Sequence, residues 1–129
     1  MNKIIVEVSV GELLDKISIL EIKKEKISDT SSLKNINAEY SILKEQLEKN
    51  IQKDQKIDEL FKSLKEVNTK LWIIEDDKRT CEKNLDFGEK FIKLSRDVHF
   101  LNDNRARIKL EINTHSDSKI KEIKQYTKY

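Results

Sequence analysis

Residues 102–109 read N-D-N-R-A-R-I-K, a run of amide, carboxylate, guanidinium and ammonium groups within about two turns of helix. Guanidinium and ammonium groups grip carboxylates or phosphates, and amides add directional hydrogen bonds to such a grip. Val98, Leu101, Ile108 and Ile112 set an apolar register along this stretch, and position 105 falls where that register expects another apolar residue. The chain supplies Arg105 there, with Asn102 one turn before it and Lys109 continuing the stripe. A guanidinium in an apolar seam must be paired or hydrogen-bonded, because burying it bare is strongly unfavourable. Asp103 and Arg107, four residues apart, can pair on the helix surface.

A second polar stripe can supply the partners. Asn68, Trp72, Glu75 and Arg79 are spaced 4, 3 and 4 apart and share one side of a helix. If the two helices form a hairpin turning near residues 84–86, Asn68 comes level with Asn102, Glu75 with Ser95 and Arg96, and Trp72 with Val98 and His99. Two readings are open. The polar groups form a clamp that fixes the register of the hairpin, as a buried Asn does in coiled coils. Alternatively they hold a small anionic, nucleotide-like ligand. Arg96, Arg105 and Lys109 then supply charge, Asn68 and Asn102 hydrogen bonds, and Trp72 a stacking face, with Glu75 and Asp103 beside them.

Other chemistries are not spelled out. The sequence has no Ser-His-Asp or Cys-His arrangement, no glycine-rich phosphate loop and no zinc-ligand spacing. His99 and His115 are not spaced with carboxylates or Cys81 as a metal site requires, so no metal, cofactor or catalytic residue is expected. Cys81 falls on an apolar seam and reads as a small buried hydrophobe; as the single cysteine it permits no internal disulfide. The net charge is +2, with basic and acidic residues interleaved, which disfavours a nucleic-acid binder. The opening residues lack the apolar core of a signal peptide and no run approaches membrane-spanning length, so a cytoplasmic protein without membrane contact is expected.

The elements that must position these residues are mainly helical. Charged residues make up 39% of the chain, and it contains no proline and two glycines, a composition suited to long helices with narrow apolar seams. Alternating β-branched residues at Ile4, Val6 and Val8 predict one short strand over 4–8, pairing with residues 120–123 or with a second copy. Ser9-Val10-Gly11-Glu12 reads as a capping box opening a helix over 10–27. Further helices are expected over 32–50, 55–83 and 87–114, each with apolar residues at alternating spacings of three and four. The tail from residue 116 is open between a strand and an extension of the last helix. The fold expected is thus one mainly α domain over residues 1–129, an antiparallel bundle of about four helices with an N-terminal strand. Its seams are narrow enough that a homo-oligomer is expected.

Three stretches, S-V-G-E-L-L-D-K-I-S-I-L-E-I-K, V-N-T-K-L-W-I-I-E-D-D and F-I-K-L-S-R-D-V-H-F-L-N-D-N-R-A-R-I-K, together carry a resemblance. The chain resembles an uncharacterised domain-of-unknown-function family of small proteins from proteobacteria and tailed phages. That resemblance implies a shared fold and assigns no activity. Asn104 stands where that family commonly has a basic residue, and His99 where it has an aromatic one. The rhythm of the first helix is also similar to the opening helix of all-helical chorismate mutases, which carry arginines there; this helix has Lys16, Lys23, Lys24 and Lys26 instead. Three functions follow as expectations: a non-enzymatic binding protein, of the kind a phage could use to sequester a ligand; a helical adaptor for another protein; and a mutase-like enzyme.

Overall fold

The computed structural model describes residues 2–129 and contains four helices among them: α1 (Val10–Lys26), α2 (Thr30–Asn50), α3 (Gln55–Lys83) and α4 (Glu89–His115). Each of the first three starts where a side chain can take up a free amide. Ser9 Oγ accepts from the Glu12 N–H at 3.0 Å, Asp29 from Ser32 at 2.8 Å and Asp54 from Ile57 at 2.8 Å.

The long helices α3 and α4 form an antiparallel hairpin. α1 lies against its open end and touches all three other helices, whereas α2 packs on α1 alone. One core results, built from Leu13, Leu14 and Ile17 of α1, Leu47 of α2, Ile57, Leu60, Leu64, Val67 and Leu71 of α3, and Ile108 and Ile112 of α4. Glu21 of α1 braces both neighbours, accepting from Tyr40 of α2 at 3.2 Å and from Lys65 of α3 at 3.2 Å.

α1 spans about 25 Å and α3 about 43 Å at 1.5 Å per residue, so α1 covers little more than half of the hairpin. From residue 73 to residue 107 Cys81 is the one buried residue, as its place on the seam predicts.

Two expectations about the termini fail. Residues 4–8 form no strand, and Ile4, Ile5 and Val6 are 70–86% exposed. A lone strand leaves its backbone groups unpaired, and residues 120–123, themselves irregular, offer no ladder. The tail from Ser116 is likewise neither strand nor helix. It is pinned at its start, where Ser118 Oγ accepts from the Val10 N–H at 3.1 Å and donates to the Ile120 carbonyl at 2.7 Å.

Candidate functional site

The polar residues of the hairpin are organised by one face of α1. Gly11, Asp15, Ser18 and Ile22 repeat at spacings of 4, 3 and 4, so they form a second stripe beside the apolar one, and all four are buried. Three tiers of polar contact follow along it.

At the first tier, the start of α1 meets the end of α4. The Gly11 N–H donates to Asn113 Oδ1 at 2.7 Å, so two of the free amides of α1 are satisfied by Asn113 and Ser118. Glycine is required here by space: a Cβ at position 11 would sit 2.7 Å from the Lys109 carbonyl oxygen.

At the second tier, Lys109 lies among Glu12 at 2.7 Å, Glu122 at 3.2 Å and Asp15 at 3.8 Å, with its side chain 11% exposed. Burial would push the Lys109 ammonium down, but the hydrogen bonds to Glu12 and Glu122 and the charge of Asp15 outweigh it and hold the group above its usual 10.5. For Glu12, burial acts to raise the carboxyl, and the hydrogen bond and charge of Lys109 overcome this, leaving it below the usual 4.5. Glu12 therefore serves the α1–α4 joint. The capping box is half realised, by Ser9.

At the third tier, Asn68 is 4% exposed and uses its whole side chain. Nδ2 donates to Asp15 Oδ1 at 2.7 Å and to Ser18 Oγ at 2.8 Å, while Oδ1 accepts from Arg105 at 3.1 Å. Arg105 donates also to Asn102 Oδ1 at 2.5 Å. Asn68, Asn102 and Arg105 are thus joined as the register predicts, with Arg105 bridging the two amides.

Beyond this tier lies a groove of about 390 Å³ between α1, α3 and α4. Ile19, Ile22, Leu71 and Trp72 give it apolar walls; Glu75, Asp76, Arg79 and Arg105 bring charge to it. Arg79 and Glu75 pair with each other at 3.3 Å, one turn apart. Arg105 has no carboxylate within ion-pair distance among the described residues. Its partners are two neutral amide oxygens, which leave more than half of its N–H donors unassigned. The half-buried Lys65 and the buried Lys109, by contrast, each touch at least two carboxylates.

The remaining predicted residues lie elsewhere. Arg96 sits nine residues from Arg105, half a revolution around α4, with its guanidinium 6.0 Å from the Phe100 ring. Asp103 bonds the Tyr129 hydroxyl, and Arg107 pairs with Glu111 at 2.8 Å and with Asn104, not with Asp103. Lys109 belongs to the joint described above. Asp15, Ser18, Ile19, Ile22 and Asp76 were not among the expected site residues. The signal for the first two was polar side chains three residues apart beside the apolar positions of α1.

No curated protein and no solved structure matches the chain. The model of a family of unknown function, DUF6165, matches residues 4–129, and the chain therefore belongs to that family.

Proposed function

We propose that this protein is a non-enzymatic helical binding protein whose groove between α1, α3 and α4 takes a small anionic ligand with a flat apolar body. The observation that carries this reading is Arg105. Its guanidinium is fixed at the edge of an apolar groove by two amides, and no carboxylate neutralises it. A site of this kind offers charge-assisted hydrogen bonds to a carboxylate or phosphate, while Trp72 and the isoleucines of α1 receive an apolar or aromatic part. The volume is near the lower end of small-ligand sites, which suits a metabolite of mononucleotide size. The mutase-like alternative draws less support, since α1 lends the groove Ile19 and Ile22 and no cation.

Trp72 is the single tryptophan and reports on the groove directly. Titration with mononucleotides and with dicarboxylates is expected to change its fluorescence saturably and to raise the melting temperature for one class. Arg105→Gln removes the charge and keeps an amide donor. It is expected to weaken that response about ten- to a hundredfold with the helical circular dichroism unchanged. If neither class moves the fluorescence or the melting temperature, the reading fails.

A further inference from the structure

The charges of the Arg105 groove are not spread evenly along it. Asn68, which holds Arg105, lies at one end. Leu71 and Trp72 follow on α3, and with Ile19 and Ile22 of α1 they make an apolar middle. Glu75, Asp76 and Arg79 come next, so the two carboxylates stand about 10–12 Å along the helix from Asn68. Arg79 is paired with Glu75 at 3.3 Å. Asp76 is different: its backbone carbonyl accepts from Thr80 Oγ1 at 3.2 Å, but among the described residues its carboxylate has neither a hydrogen-bond donor nor a cation within ion-pair distance. The groove therefore has an unneutralised cation at one end, an unneutralised anion at the other and an apolar surface between them.

We infer that the ligand of this groove is dipolar, with an anionic group at Arg105 and, across a flat body lying on Trp72, an edge made of N–H donors at Asp76. The inference rests on the reading of the groove given above and narrows its ligand class. An ionised carboxylate only accepts hydrogen bonds, through two oxygens side by side, so it matches paired N–H groups. It repels an acceptor or a second anion held against it. A dicarboxylate long enough to fill the groove would put its second anion there. A guanine mononucleotide has the required pattern. Its phosphate is at one end, and a ring N–H and an exocyclic amino group lie together on the far edge of its base. Hypoxanthine lacks that amino group, and adenine sets an acceptor nitrogen beside its amine.

Titration of the full chain with guanosine monophosphate, inosine monophosphate and succinate, followed by Trp72 fluorescence and melting temperature, tests this. The wild type is expected to bind guanosine monophosphate at least about tenfold more tightly than inosine monophosphate. Asp76→Asn alters an exposed side chain, so the helical circular dichroism is retained. It is expected to weaken guanosine monophosphate about tenfold and to remove the preference. Inosine monophosphate offers the carboxylate a single N–H and is expected to change by less than about threefold. Equal affinity of the wild type for the two nucleotides overturns the inference, as does an Asp76→Asn effect equal for both. Either result leaves the anion site at Arg105 intact. Binding of succinate and of neither nucleotide likewise overturns the inference alone. No response to any of the three overturns it together with the reading on which it rests.

Discussion

The two ends of one hairpin are held by different physics. At the open end, α3 and α4 bury Leu60, Leu64, Ile108 and Ile112 against α1, and the polar groups that enter the core beside them are hydrogen-bonded, with Asn113 Nδ2 the exception among the described residues. At the turn end, past Trp72, the same two helices have only each other. Phe87 and Phe91 pack edge to face with centroids 5.5 Å apart, yet Phe87 stays 51% exposed and Ile92 55%. Both ends carry apolar residues at the same alternating spacings of three and four. A third helix makes the difference: it turns a seam into a core and makes a misplaced polar group costly. The Arg105 groove opens at the boundary between the two regimes, where α1 still supplies a wall.

The largest break in this comparison is expected from Asn68→Ala. The substitution removes three hydrogen bonds at once, leaving Asp15 and Ser18 buried without their partner and Arg105 with one amide fewer. A cost of about 3 kcal/mol in urea unfolding is expected. Arg79→Ala, which opens an exposed pair on the far half of the same helix, should cost about 0.5 kcal/mol or less. Comparable losses from the two changes would show that the network is not what distinguishes the open end.

Lys109→Met comes next, with an expected loss of about 2 kcal/mol near neutrality, because Glu12, Asp15 and Glu122 are left together without their cation. Its signature is in the pH dependence. Glu12 is held below its usual 4.5, so its contribution is complete above that value and is lost as pH falls through the lowered one. Lys109 is held above its usual 10.5, so its contribution is complete below that value and is lost as pH rises through the raised one. The wild type should lose stability at both limits, and the variant should show shallower acid and alkaline limbs. Equal limbs in the two proteins would mean that the joint is not held by this pair.

What the sequence made legible follows the range of each interaction. The cap at Ser9 and the apolar spacings placed the helices to within about two residues, because caps and seams are decided by neighbours three and four positions away. The same register put Arg105 in the seam and Asn68 opposite it. Contacts that depend on how α1 is laid across the hairpin could not be read. Glu12 has a local role as a capping residue and a distant one with Lys109, and spacing reveals only the local one. Asp15 and Ser18 meet Asn68 of α3, more than 45 residues away, and spacing within α1 carries no information about that contact. Arg96 shares a helix with Arg105, but nine residues of α-helix turn it to the far side. Ile4–Val8 has strand composition, and composition carries no information about whether a partner strand exists.

An effect smaller than that of either Asn68→Ala or Lys109→Met has the opposite sign and sharpens the comparison most. Leu85, just after α3, has a φ of 54°, in the left-handed region where a Cβ is strained. Its backbone closes the helix end, Leu85 N–H donating to the Glu82 carbonyl at 3.1 Å and Asp86 N–H to the Cys81 carbonyl at 2.9 Å. The side chain is 74% exposed, so Leu85→Gly sacrifices little packing. Relief of strain, less the extra freedom of glycine in the unfolded chain, should leave a gain of up to about 1 kcal/mol. Where that gain appears is the informative part. If the whole hairpin unfolds as one unit, the urea midpoint rises. If the turn end opens on its own, the midpoint stays, and only amides near Cys81 and Glu82 exchange more slowly with solvent. The thin seam past Trp72 favours the second outcome. A rise in the midpoint would instead show that the buried network of the open end carries its cooperativity along both helices to the turn.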